Sequence, residues 1–386
     1  RHTRYISVTG VQTCALPIFQ INSGATALFI TSAQKNTGTT RTGPSVVPTL
    51  PTGGNNGGNP FDGVVPVPTF YASAHVGDSP LWLGLGVSAP FGLKLRYDDN
   101  FFARYDSIYS SLFTLNVAPS AAVRVNDSLS IGGGVDVQYM KVTLTSALPN
   151  VTPGSADGLL RAKGDDVSVG WNFGVLAKTG PAQFGLHYRS GIKQNLRGTY
   201  TVTGLTAPLS AANYSTGLSS SVALPDILTG SVKFAANDRI TLFGTAKWYN
   251  WSKFRNITLI PDVGSRAIKD LEYKDSWSIA GGADYQVKPG LTVRGGVMWD
   301  KTPTNPALLT TRVPDGNRTW LTTGMSYDVN PHLTLNGSYA HVFVRDSHLG
   351  RTDDFYTGTG ADIAVDLSST GTGNVDMIAA SLTARF

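Results

Sequence analysis

The sequence predicts an all-β protein, a transmembrane antiparallel β-barrel of about fourteen strands with long external loops and short periplasmic turns. Three observations predict it. At the end of the chain, Ile378, Ala380, Leu382, Ala384 and Phe386 fall on one parity, and Ala379, Ser381, Thr383 and Arg385 on the other. A two-faced strand that finishes on an aromatic residue suits a sheet closed on itself, because a terminal edge strand in an open sheet leaves its backbone groups unpaired. Along the chain, tight turns and long connections alternate. In composition, only 15% of the 386 residues are charged, Gly numbers 43 and aromatics reach 10%, while mean hydropathy is −0.05. No run of eighteen apolar residues exists, which excludes transmembrane helices. A barrel hides its apolarity in alternate residues and keeps the average near neutral.

From residue 19 onward the period is two, with no helical repeat. Strands are predicted near 20–33, 66–77, 80–90, 111–125, 128–143, 165–179 and 182–201. They continue near 222–236, 239–255, 273–287, 290–300, 318–329, 332–345 and 374–386. Gly77-Asp78-Ser79, Asn126-Asp127, Gly180-Pro181, Asn237-Asp238, Lys288-Pro289-Gly290 and Asn330-Pro331 supply the short turns. The long loops are 34–65, 91–110, 144–164, 202–221, 256–272, 301–317 and 346–373. Strict alternation places all tight turns, and both termini, at the periplasmic end.

The strand faces agree. Ile131, Val135, Val137 and Tyr139 oppose Ser130, Asp136 and Gln138; Phe184, Leu186 and Tyr188 oppose Gln183, His187 and Arg189; Val293, Val297 and Trp299 oppose Arg294 and Asp300. A charge on the lipid face near the midplane costs roughly 2–4 kcal/mol, so the charged sets belong in the lumen. Trp171, Tyr188, Trp248, Tyr285, Trp299 and Tyr327 are candidates for interfacial girdles.

Residues 1–18 stand apart from this pattern. They have no initiator Met and no clear period, and they hold the single cysteine, Cys14, so no disulfide forms within the chain. The expected division is a non-family segment at 1–18 and the barrel at 19–386.

Several stretches, in order, resemble the FadL-type outer-membrane transporter family. They are Val87-Ser-Ala-Pro-Phe-Gly-Leu93, Leu186-His-Tyr-Arg-Ser190, Leu196-Arg-Gly-Thr-Tyr200, Leu224-Pro-Asp226, Trp248-Tyr-Asn-Trp-Ser-Lys-Phe254, Tyr273-Lys-Asp-Ser-Trp277 and Arg312-Val-Pro-Asp-Gly-Asn-Arg-Thr-Trp-Leu321. The resemblance implies a fourteen-stranded barrel that carries long-chain fatty acids or similar hydrophobic molecules passively across the bacterial outer membrane. Its alternatives are aromatic-hydrocarbon uptake by the same architecture, or a structural or general diffusion porin. The family carries an N-terminal hatch with an Asn-Pro-Ala motif. That motif is missing here, so the expectation is a barrel lacking most of its hatch.

A fatty acid needs apolar walls for its tail and a cation or donors for its carboxylate. Lys141, Arg189, Lys247 and Arg255 are the carboxylate candidates, read as lying high in the lumen. The competing role for each is a rung of an internal salt-bridge ladder with Asp136, Asp284, Asp300 and Asp328. Phe91, Leu93, Phe101, Phe102, Leu159 and Leu160 are apolar loop candidates, either as a docking surface or as a lid packed on itself. In the family a kink in the third strand opens a side hole toward the bilayer. The matching stretch here holds Gly84, Gly86 and Pro90, residues that weaken ladder pairing.

The net charge of +5 is scattered and forms no dense basic patch in sequence, which argues against nucleic acid. No Gly-x-Ser-x-Gly, His-Glu-x-x-His or phosphate loop occurs, and the six His are dispersed. The expectation is therefore no catalytic residue, no metal and no cofactor, in a multi-pass outer-membrane protein. Its partners are hydrophobic small molecules and membrane lipid, and it is monomeric.

Overall fold

Alternating sequences bounded by turn residues become long, antiparallel strands. The computed structural model describes residues 19–44, 49–61, 63–152 and 154–386. The boundary drawn at residue 18 and the expected loss of the hatch lie outside them. Fourteen strands form the wall. They are β1 (Phe19–Asn36), β2 (Val64–His75), β3 (Leu81–Ser88), β4 (Tyr109–Asn126), β5 (Leu129–Leu148), β6 (Gly158–Thr179) and β7 (Ala182–Arg189). The rest are β8 (Ile227–Ala235), β9 (Ile240–Tyr249), β10 (Ser276–Lys288), β11 (Leu291–Asp300), β12 (Arg318–Asn330), β13 (Leu333–Phe355) and β14 (Ile363–Arg385).

Each strand pairs antiparallel with the next. The ring closes where β1 pairs with β14, from Gln20↔Arg385 to Asn36↔Ser369. The closure reaches the last residue. Phe386 donates its amide to Phe19 O at 2.9 Å and accepts from Phe19 N at 3.3 Å. The C-terminal aromatic thus completes the ladder and leaves no edge.

The faces divide as the alternation requires. Val167, Val169 and Trp171 of β6 are 60%, 64% and 54% exposed on the outside, while Asp136 and Gln138 of β5 are buried inside. Near the loop end, Trp171 and Tyr188 approach to 5.1 Å, Trp277 and Trp299 to 4.5 Å, and Trp248 pairs across from Trp277, tracing an outer girdle. Exposed Tyr285 and Tyr327 mark the turn end. Inside, the ladder of charges is built: Arg294 faces Asp284 at 3.5 Å, Arg318 faces Asp300 at 3.2 Å, and Arg189 faces Asp136 at 3.3 Å.

Three elements differ from expectation. The strand predicted at 182–201 ends at Arg189. Its continuation, Lys193–Thr203, pairs with the outer part of β6 and with Tyr214–Ala223. The break has a local cause, since the Ser190 hydroxyl takes the Trp171 amide at 2.9 Å. A side chain at Gly191 would also lie 2.6 Å from Leu224 O. The strand predicted at 222–236 breaks in turn at Leu224-Pro225-Asp226, where Pro225 has no amide to donate. The loop predicted at 346–373 is mostly sheet, because β13 and β14 continue as a tall hairpin beyond the barrel.

Candidate functional site

The third strand leaves the wall early. β3 pairs with β4 as far as Ser88↔Asn116, then Ala89-Pro90-Phe91 quits the ladder, and Gly92–Arg96 rejoins β4 from Gly92↔Phe113. Thr114 takes over the lost bonds. Its hydroxyl accepts from Phe91 N at 3.0 Å and donates to Phe91 O at 2.5 Å. On the other side the β2–β3 ladder stops at Phe70↔Val87, so Val64–Thr69 pair with β1 alone. Pro66 and Pro68 lie in that stretch. Proline cannot donate to a ladder and belongs on strand edges. The result is a gap in the wall between β2 and the displaced segment. Pro90 sits at the break, whereas Gly84 and Gly86 lie within continuous ladder opposite Ser73 and Tyr71.

The break turns Phe91 inward. It is buried with Met140, Leu196, Val222 and Leu224, and Trp251 and Phe254 pack against the group. Trp251 meets Phe91 edge-on at 5.9 Å, and Tyr273 joins Trp251 and Phe254 at 5.9 and 5.0 Å. These rings form an apolar wall across the upper lumen.

Directly toward the turn end lies a polar layer. Asp136 accepts from Asn116 Nδ2 at 2.7 Å and Asn172 Nδ2 at 2.9 Å. Gln194 Nε2 donates to Gln138 Oε1 at 3.3 Å. Three buried atoms of this layer have no hydrogen-bond partner among the described residues, Gln138 Nε2, Gln194 Oε1 and Asn116 Oδ1, while Arg189 Nη2 is ion-paired with Asp136. An unmet buried polar atom costs about 1–3 kcal/mol. Such a set beneath an apolar wall suits the polar end of an amphipathic molecule. Phe91, Arg189, Ser190, Ile192, Leu224 and Pro225 come together at the β7 break, where the wall meets the layer.

Asp226 fixes this geometry. Its carboxylate accepts from Tyr188 Oη, Gly191 N and Asn250 Nδ2, each at 2.8 Å, and from Lys253 Nζ. Burial pushes its pKa up, but these four donors outweigh burial and hold it well below the usual carboxylate range.

The sequence candidates separate. Arg189 lies beside Phe91 at the β7 break. Lys247 lies on β9 across from Thr229 and Ser278, on the opposite parity from the exposed Trp248. Lys141 is a correction: it shares parity with the exposed Val135 and Val137 and points outward, not into the lumen. Arg255 is also corrected. It is exposed in the loop after β9, where its carbonyl accepts from Leu271 and Glu272. Phe101 and Phe102 are fully buried with Leu95, Tyr97 and Leu309, and Leu93 packs on them, so these three close a lid rather than offer a docking face. Leu160 packs into a second loop cluster with Tyr200 and Val202. Leu159 is 42% exposed on the outer face. Asp226, Thr114 and the unmet amides of Gln138 and Gln194 were not singled out from sequence. Only the Pro-Asp pair at 225–226 hinted at the first.

A family model described as "Outer membrane protein transport protein (OMPP1/FadL/TodX)" matches residues 18–386. A "Long-chain fatty acid transport protein" of Escherichia coli O6:H1 is 25% identical over 309 residues, covering 71% of this chain and 69% of that protein. The crystal structure of a Pseudomonas aeruginosa FadL homologue superposes with a TM-score of 0.83 at 23% identity, over 95% of this chain and 90% of that one. The toluene transporter TodX of P. putida gives 0.66 at 16% identity, over 96% and 91%.

Proposed function

The chain belongs to the OMPP1/FadL/TodX family of outer-membrane transport proteins, and from that premise we infer that its cargo is a long-chain fatty acid or a similar amphipathic hydrocarbon, taken up passively. The observation that carries this reading is the pairing of the ring-lined wall around Phe91 with the polar layer at Arg189 and Gln138. A tail lies against Phe91, Trp251 and Phe254, and a carboxylate takes the unspent donor Gln138 Nε2 beside the Arg189 guanidinium, which also holds Asp136. The gap beside β2 is the exit toward the bilayer. The reading assigns no catalytic step. It takes the protein as a monomer in membrane lipid.

Aromatic-hydrocarbon uptake is the second reading, favoured by the ring cluster alone, and a non-selective pore is the third. Liposomes containing the protein separate them. Faster entry of oleate than of toluene, with no sugar flux, is the expected result. Toluene entry without oleate entry moves the cargo to aromatic hydrocarbons. Sugar flux without lipid flux overturns the reading altogether.

A further inference from the structure

The outer surface of β5 and β6 carries an unneutralised basic patch just above the lipid-facing band. Lys141 on β5, Arg161 and Lys163 on β6, Arg197 on the adjoining Lys193–Thr203 strand, and Lys94 on the displaced end of the third strand are all exposed. Register brings them together. Lys141 and Arg197 flank Asp165 from the two sides, and Lys163 stands between Thr143 and Thr199 one step above. Lys94 reaches the same row through Ser111. With strands about 4.8 Å apart, the three central cations, Lys141, Lys163 and Arg197, lie within roughly 10 Å of one another. None of the five makes an ion pair or side-chain hydrogen bond with a described residue, and Asp165 is the one acid among them. Across the barrel, the β13–β14 hairpin exposes Asp346, Asp354 and Asp366 instead, so the patch is not a general property of the rim.

Immediately below the patch on the same two strands come Tyr139, Val137, Val167, Val169 and Trp171, the apolar outer band. A single occupant that fits both zones has acyl chains against the valines and anionic phosphate at the cations. We propose that this face binds an outer-leaflet lipid carrying phosphate on its headgroup. Lys and Arg at a membrane surface attract anionic headgroups additively, and hydroxyls at Thr143 and Thr199 add neutral donors. The site depends on the outer-membrane placement and not on the identity of the cargo.

The test uses the full chain in nonionic detergent, with native mass spectrometry reading lipid binding. Bisphosphorylated lipid A is the probe, and dephosphorylated lipid A and inorganic phosphate are the controls. The wild type should retain bisphosphorylated lipid A, more weakly as salt is raised. A variant combining Lys141→Gln, Lys163→Gln and Arg197→Gln should lose about a hundredfold in affinity, about fivefold per cation. Lys35→Gln with Arg345→Gln, on the far side, should bind as the wild type does. Should the triple variant fail to fold, Lys163→Gln alone, an exposed change, should still show the fivefold loss. Equal retention by wild type and variants overturns the proposal. So does equal binding of the dephosphorylated lipid, or displacement of the lipid by equimolar inorganic phosphate.

Discussion

The guanidinium of Arg189 holds one carboxylate, Asp136, through Nη2 at 3.3 Å. Removing Arg189 alone would strand Asp136, so the informative variant is Arg189→Gln with Asp136→Asn. A hydrogen bond to a charged group contributes about 1.5–3 kcal/mol, so fatty-acid affinity should fall roughly tenfold to a hundredfold. An uncharged hydrocarbon of equal length should bind as before. Calorimetry with both ligands checks this, and an equal change for both would reduce Arg189 to a rung of the ladder. Parity made part of this legible. Arg189 alternates with the apolar Phe184, Leu186 and Tyr188 set, and inward placement follows. The same parity puts Lys141 outside with Val137 and Tyr139, and treating it as a lumen cation overrode that rule in favour of its height on the strand. The role of Asp226 had no local signal beyond the Pro-Asp pair at 225–226, because its donors come from residues 188, 191, 250 and 253.

At the scale of elements, period-two alternation and turn residues act within a few positions, which is why all fourteen wall strands could be read. The breaks could not. Ser190 and Gly191 are tolerated inside strands, and they interrupt β7 because Trp171 on β6 and Asp226 in the break before β8 compete for their groups. The upper β13–β14 hairpin was mistaken for loop because Asp353, Asp354 and a Ser/Thr/Gly-rich return mask the buried alternation of Ile363, Val365 and Leu367. The break after β3 rests on Thr114, whose hydroxyl serves both Phe91 N and Phe91 O. Thr114→Val keeps the shape and removes both bonds, each contributing about 0.5–1.5 kcal/mol. Amide exchange at Phe91 should accelerate markedly while β1 and β14 amides keep their protection. Unchanged exchange at Phe91 would show that the ladder, not the hydroxyl, holds the break.

For the whole molecule, the wall and its lid are held by different forces. The wall is a closed hydrogen-bonded ring. The lid is an ion network among distant segments. Asp106 Oδ1 lies 2.6 Å from Lys269 Nζ, and its Oδ2 accepts from Thr311 N and Oγ1, each at 2.6 Å. Lys269 also meets Asp353 at 2.6 Å, which Arg351 holds at 2.8 Å. Asp106 and Thr311 are 205 positions apart, so no window of sequence shows the latch. Burial pushes the Asp106 pKa up, yet Lys269 and Arg312 beside it hold the carboxyl well below the ordinary value. A depressed carboxylate pKa contributes stability that is full above about 4, the unfolded value, and is lost as pH falls through the folded one. The lid should thus resist protease from neutral pH down to about 4 and open only in stronger acid. Lys269→Met should open it at neutral pH, because a buried carboxylate left without its partner costs about 3–5 kcal/mol. Cleavage would then rise within 250–275 and 301–317, while the barrel keeps its resistance to unfolding in detergent, since no ladder bond is touched. Simultaneous loss of barrel and lid in that variant would mean that wall and latch fold as one unit.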